Sequence, residues 1–159
     1  MPKLIQSVLL AALLVTITSG CAIVQKVSPI ESSPTISTIY IQKNPNVHME
    51  GLLPEMVQQL TTLGFKVETF DTERPKDATH WMIFTANWQW DMAMYLTYFK
   101  ATLMEDGKIL GSAEYDARKG GGNMGKFGKT AEKIRPLLIE LFQNAKRGTS
   151  SSATVGKSG

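Results

Sequence analysis

The chain has 159 residues, a formal net charge of +3 and one cysteine, Cys21. About 140 residues are enough for a single domain with a buried core, and too few for several domains. The small positive charge, without a run of basic residues, excludes a dedicated nucleic-acid-binding protein.

A bacterial secretory leader is predicted for residues 1–20. Lys3 precedes an apolar run from Val8 to Val15. This run is too short to cross a bilayer as a helix, because a span needs about 20 apolar residues. Small residues at positions 18–20 allow cleavage between Gly20 and Cys21. Two alternatives remain open: a secreted protein that is cut near Gly20 and keeps a free thiol, and an uncleaved membrane anchor.

Ser19, Gly20 and Cys21 resemble the lipobox of bacterial lipoproteins, although Thr18 stands where that pattern has a bulky aliphatic residue. The resemblance implies that Cys21 carries acyl chains, palmitate among them. Since Ala22 rather than an aspartate follows, it also implies the outer membrane, with the domain facing the periplasm. Each buried methylene contributes roughly 0.8 kcal/mol, so three chains would hold the protein firmly. Acylation leaves no thiol for a disulfide, a catalytic thiolate or a cysteine metal site.

After the leader, the sequence predicts a lipidated tether at 21–35, one domain at 36–145 and a disordered tail at 146–159. The tether and the tail are rich in small and polar residues. The predicted elements in chain order are a strand at 36–42, a helix at 51–63, strands at 65–70, 81–88, 92–104 and 109–117, a glycine-rich loop at 119–128, and a last helix with Pro136 inside its apolar pattern.

The first three elements form a β-α-β unit, which predicts parallel strands. The next three strands form an antiparallel meander, with one turn within 89–91 and the other at Asp106-Gly107, a strong hairpin signal. The order β-α-β-β-β-β-α therefore predicts an α+β or α/β fold. We expect a two-layer sandwich of a mixed sheet with two helices on one face.

The glycine-rich loop contains part of a phosphate-binding pattern. Gly128, Lys129 and Thr130 match the end of a P-loop, but Asn123 stands where its first glycine is required. We therefore expect a tight connection between sheet and helix, in which glycines permit positive φ values, rather than a nucleotide site. Its backbone N–H groups remain a candidate for holding an anion.

The string from Asn87 to Asp91 contains Trp88 and Trp90, which would face one side of a strand. Two tryptophans can grip a sugar ring or a peptide, but they more often pack under a helix. Asp91 is expected to shape the turn through its own backbone. The remaining sheet methionines are expected to fill the core: Met82, Met92, Met94 and Met104.

Acidic residues supply the only candidate acid–base chemistry. Asp116 could pair with Arg118, or Glu114 and Asp116 could act together as catalytic carboxylates, with Asp91 as a third candidate. A solvated ion pair is the preferred interpretation. His48 and His80 are far apart in sequence and are expected at the surface or at strand ends, so we expect no catalytic residue, no metal ligand and no cofactor.

Two strings resemble a family of small, functionally uncharacterised bacterial envelope lipoproteins. The first is T-A-N-W-x-W-D, and its residues here are Thr85, Ala86, Asn87, Trp88, Trp90 and Asp91. The second is Y-D-x-R followed by G-G-G-N-M-G-K-F, and its residues here are Tyr115, Asp116, Arg118 and 120–127. The resemblance supports the lipoprotein prediction and implies no reaction, ligand or catalytic residue.

The sequence therefore predicts a non-enzymatic accessory or binding module in envelope assembly or maintenance, with an envelope protein or a wall fragment as partner. A glycan- or peptide-binding module is the alternative, and a hydrolase using Asp91, Glu114 or Asp116 is a weaker one. The oligomeric state stays open. The candidate binding residues are Asn87, Trp88, Trp90, Asp91, Asp116, Arg118, Asn123 and Lys126.

Overall fold

The computed structural model describes residues 22–31 and 35–148. The predicted leader, Cys21 and residues 149–159 of the predicted tail lie outside the described residues. The strands are β1 (Val24–Ser28), β2 (Thr35–Ile36), β3 (Thr38–Gln42), β4 (Lys66–Phe70), β5 (His80–Asp91), β6 (Ala93–Glu105), β7 (Lys108–Asp116) and β8 (Lys146–Arg147). The helices are α1 (Leu52–Thr62) and α2 (Thr130–Leu141), and Met124–Phe127 form a 3₁₀ helix.

Six strands form one mixed sheet in the order β1-β7-β6-β5-β3-β4. Strand β3 lies parallel to both β4 and β5. The neighbours from β5 through β6 and β7 to β1 are antiparallel. The short strands β2 and β8 pair in parallel in a separate sheet. The predicted α+β class, with a mixed sheet and two helices, is therefore confirmed.

The chain ends of the domain differ from the prediction. Val24–Ser28 lie in the predicted tether but form β1, which pairs along its whole length with β7. Lys146 and Arg147, assigned to the predicted disordered tail, form β8. Neither segment has an alternating hydrophobic pattern, so hydrophobic periodicity could not predict these two strands. Their backbone hydrogen bonds to a neighbouring strand make them part of the fold.

Both helices pack on the same side of the six-stranded sheet. Helix α1 buries Leu52, Met56 and Leu60, which recur every four residues as an amphipathic helix requires. The core-facing residues of α2 are Ile134, Leu137, Leu138 and Leu141. These side chains join the inward-facing residues of the central strands in one core. Helix α2 runs through the exposed Pro136 without ending.

Two hairpin turns connect the long antiparallel strands. Asp106 and Gly107 have φ values of 47° and 80°, as the predicted Asp-Gly turn requires. The β5–β6 turn lies at Met92, whose φ is 61°, and therefore falls just beyond the predicted 89–91. Because β5 continues through Trp90, this hairpin is longer than the sequence predicted.

A β-bulge between Asn87 and Trp88 shifts the register of the part of the β5–β6 hairpin that lies next to its turn. Asn87 is opposite Tyr98, whereas Trp88 is opposite Leu96, so Thr97 is the extra residue. The Thr97 hydroxyl donates to the Asn87 carbonyl over 2.9 Å and satisfies the interrupted ladder. In the described ranges 22–31 and 35–148, no helix is long and apolar enough to cross a membrane.

Candidate binding surface

The end of the β5–β6 hairpin carries large apolar side chains into solvent. Trp90 is 70% exposed, Met92 83% and Met94 54%. Met124, in the glycine-rich loop, is 73% exposed. The prediction that the sheet methionines fill the core is thus correct for Met82, which is fully buried, and wrong for Met92 and Met94. We call Trp90, Met92, Met94 and Met124 the apolar tip.

An ion pair fastens the glycine-rich loop to this hairpin. The Lys126 ammonium donates to Asp91 Oδ2 over 2.6 Å and to the Gly121 carbonyl over 2.7 Å. The Lys126 side chain is only 7% exposed, whereas that of Asp91 is 52% exposed. Asp91 was expected to bond its own turn, but its carboxylate instead accepts from a residue 35 positions away. Two predicted site residues therefore do meet.

Aromatic rings surround the Lys126 ammonium. It lies 5.2 Å from the centroid of the Tyr95 ring and 5.0 Å from that of Phe127. The two rings contact each other edge to face at 5.4 Å. These contacts stabilise a cation in a position that water hardly reaches. Tyr95 and Phe127 were not recognised as site residues, because nothing in their spacing relates one to the other.

A second buried lysine supports the loop from α2. Lys133 donates from its ammonium to the Lys126 carbonyl. Its burial lowers the pKa of Lys133 below the usual lysine value. Its ammonium lies 5.2 Å from the Tyr115 ring, and burial raises the pKa of Tyr115. The neighbours Ile134 and Leu137 are core residues, so Lys133 sits on the apolar stripe of α2. A lysine at an apolar position of the helix pattern was the sequence feature that could have identified Lys133 as a buried residue.

Trp88 and Trp90 share one face of β5, as predicted, but they differ in exposure. Trp88 is half-buried and packs against the main core. It lines a shallow cavity of about 190 Å³ between the starts of the two helices. The other lining residues are Met49, Gly51, Leu52, Glu55, Thr130 and Ala131. Asn87, next in the strand, is exposed on the opposite face of the sheet.

The helix-free face of the sheet carries the predicted ion pair. Arg118 donates from Nε and from a terminal nitrogen to Asp116, over 2.9 and 2.6 Å. These bonds lower the pKa of Asp116 to about 2. The Arg118 guanidinium also lies 4.3 Å from the centroid of the Tyr98 ring. The predicted pairing of Asp116 with Arg118 is confirmed.

The other acidic candidates are also paired. Glu114 lies 3.7 Å from the Lys100 ammonium on the same face as Asp116, while Asp91 is bound at the hairpin end. Asn123 accepts a hydrogen bond from the Gly125 N–H over 2.9 Å and caps the 3₁₀ helix. Asn123 therefore orders the loop, which explains an amide at that position.

The histidines lie away from these groups. His80 begins β5, where its Nε2 lies 2.9 Å from Glu105 Oε1, and His48 is exposed in a loop. Within the part of the chain that the structure describes, no group of three or more His, Cys, Asp or Glu residues is placed to hold a metal ion.

Comparison with known proteins adds a weak structural likeness. No protein-family model and no curated protein matches the chain. The PelC dodecamer from Paraburkholderia phytofirmans is similar in structure, with 10% sequence identity and a TM-score of 0.48. The similarity covers 77% of this chain and 96% of that chain. A likeness at this level carries no argument about function.

Proposed function

We propose that this protein is an outer-membrane lipoprotein whose α+β domain faces the periplasm and acts as a non-enzymatic binding module in envelope assembly or maintenance. The observation that carries the proposal is the leader pattern, which ends at the only cysteine of the chain. On this proposal the sheet, which begins at Val24, follows the lipidated residue after two residues, so the domain would lie close to the membrane surface.

The state of the acidic residues supports binding rather than hydrolysis. A general acid needs a raised pKa and a site shielded from water. Asp116 has the opposite property, because Arg118 lowers its pKa to about 2. Glu114 faces Lys100, and Asp91 is bound to Lys126. Each carboxylate thus has its own cationic partner, as structural ion pairs do.

Metabolic labelling tests the anchor. The full chain, expressed in a Gram-negative bacterium that is fed an alkyne fatty acid, is expected to take up the label. The matched control Cys21→Ala is expected to take up none. Label that survives this substitution, or a native chain that is never labelled, would overturn the proposal. Ala22→Asp tests the destination, since the sorting pattern implies that it moves the labelled protein to the inner membrane.

A second candidate function is recognition of a glycan or peptide fragment of the wall. The observation that favours it is the cavity beside Trp88, which an aromatic residue and an acidic residue, Glu55, line together. Titration of the intrinsic fluorescence with wall fragments is expected to change the emission of the wild type, and Trp88→Phe to remove that change. A response unchanged in Trp88→Phe would exclude this cavity.

A further inference from the structure

The described chain starts at the end of the sheet from which the β5–β6 hairpin projects. Val24 is opposite Asp116, Asp116 is opposite Tyr98, and Tyr98 is opposite Asn87. This row crosses four neighbouring strands. Because β1 and β6 are both antiparallel to β7, they run in the same direction. The residues before Val24 therefore lead towards the same end as the residues before Tyr98, which form the hairpin.

Side-chain contacts place this start beside the glycine-rich loop. A Cβ atom built on either Gly120 or Gly125 would lie 3.6 Å from the Ile23 side chain. Ile23 therefore lies against the loop. Cys21 is bonded to Ala22, and a trans peptide separates consecutive Cα atoms by about 3.8 Å. Ala22, the residue to which the predicted acylation site is covalently bonded, therefore lies at this end of the domain, next to Ile23.

The apolar tip lies at the same end and projects beyond the row. The last pair of the hairpin, Asp91–Ala93, is the fourth ladder pair beyond the Asn87–Tyr98 pair. At roughly 3.3 Å per residue, the hairpin extends about 13 Å further. The Lys126–Asp91 ion pair holds the loop that carries Met124 against this hairpin.

Three of the four side chains of the apolar tip are more exposed than any other large hydrophobic side chain of the described ranges. Nine large hydrophobic residues of the described ranges are exposed, and the three most exposed are Met92, Met124 and Trp90. Trp90 is opposite Met94 in the ladder and Met92 lies at the turn between them, and such adjacent apolar groups in water mark an interaction site. Tryptophan has an apolar body and one N–H donor, so it favours the boundary between lipid headgroups and acyl chains. Lys119 is exposed just beyond the end of β7 and suits a phosphate headgroup.

We propose that the apolar tip is a membrane-docking surface, which inserts into the headgroup region of the phospholipid leaflet that holds the acylated Cys21. This inference rests on the lipid anchor of the proposed function. The anchor keeps the tip at the membrane, so a few side chains suffice to orient the domain. The hairpin then points into the leaflet, and the opposite end of the sheet points into the periplasm.

Fluorescence quenching by brominated phospholipids tests this docking. Bromine quenches tryptophan only near contact. The full-length acylated protein, purified from membranes, is reconstituted into phosphatidylethanolamine–phosphatidylglycerol vesicles in which some acyl chains are brominated close to the headgroup. Trp90→Phe is expected to abolish most of the quenching. Trp81→Phe is the matched control and is expected to preserve it, because Trp81 lies about 30 Å away along β5 at 3.3 Å per residue.

Two measurements separate the possible failures. Intact mass reports the acyl chains on Cys21, and flotation with the vesicles reports anchoring. An acylated, floating protein whose quenching is unchanged in Trp90→Phe would overturn the docking surface and leave the anchor intact, as expected if another protein covers the tip. An unmodified Cys21 would overturn the anchor and the docking surface together. Circular dichroism checks that Trp90→Phe folds, which its exposure leads us to expect.

Discussion

Removal of the Asp91 carboxylate is expected to destabilise the domain far more than removal of an ordinary surface carboxylate. Asp91→Ala leaves the Lys126 ammonium almost enclosed, with the Gly121 carbonyl and two aromatic rings still nearby. The matched control is Asp71→Ala. Asp71 lies 3.2 Å from the ammonium of Lys43, and both side chains of that pair are largely exposed.

The exposures of the two pairs set the expected magnitudes. Breaking a fully buried ion pair costs about 3–5 kcal/mol, because a charge is left without compensation. An exposed pair contributes about 0–1 kcal/mol. The Lys126 side chain is 7% exposed, but that of Asp91 is 52% exposed, so water reaches one partner of this pair. We therefore expect Asp91→Ala to lower the free energy of unfolding by about 2 kcal/mol, between these limits.

Urea and thermal denaturation provide the assay. At about 4 °C per kcal/mol for a domain of this size, Asp91→Ala is expected to lower Tm by about 8 °C. Asp71→Ala is expected to lower it by less than about 4 °C. Lys126→Met in the Asp91→Ala background should recover part of the stability, because it removes a buried ammonium that has lost its carboxylate partner. Equal losses for the two single variants would refute the reasoning, since they would show that Lys126 is hydrated in solution.

Three further substitutions test the packing and the electrostatics. Gly111→Ala is expected to lower the free energy of unfolding by about 1–3 kcal/mol in urea denaturation, because a Cβ there would lie 2.7 Å from a backbone carbonyl oxygen of β1. In the control Gly122→Ala the added Cβ has no atom within 4 Å, so this variant should lower the free energy of unfolding only slightly. The wild type should exceed Asp116→Asn in stability by less than about 1 kcal/mol, since Arg118 is exposed. The pKa of Asp116 in the folded state, about 2, lies below its value in the unfolded chain. The stability difference between the wild type and Asp116→Asn is therefore complete above about pH 4 and disappears as the pH falls towards 2. A difference that does not change with pH would contradict this prediction. Tyr115→Phe should not destabilise, because the buried Tyr115 hydroxyl has no hydrogen-bond partner among the residues that the structure describes; a loss above about 1 kcal/mol would show that it has one.

Local patterns predicted those elements that are defined by their own residues. Leu52, Met56 and Leu60 have helical spacing, and they are the buried face of α1. The Asp106-Gly107 pair adopts the positive φ values that its residue types favour. Asp116 and Arg118 are two positions apart at the end of a strand, and they pair as predicted. In each case the interacting residues are close in sequence, so hydrophobic periodicity or the preferences of turn residues were sufficient to predict the element.

Contacts between segments that are distant in the chain could not be predicted from the sequence. Strand β1 has no apolar pattern and exists because β7 offers it a free edge. Met92 and Met94 have the same apolar character as Met82, and only the length of the hairpin beyond the helices leaves them exposed. The pairing of Lys126 with Asp91 joins residues on a loop and a hairpin that meet only after the sheet has formed.

The amino-acid order by itself determined the predicted destination of this protein, through a short apolar leader and a single cysteine, and the positions of its two helices. The tertiary structure alone decided which tryptophan is covered, which lysines are buried, and that the first strand starts at the same end as the exposed apolar side chains. The physical reason is that hydrophobic periodicity acts over neighbouring residues, whereas burial and charge pairing depend on which distant strands become neighbours.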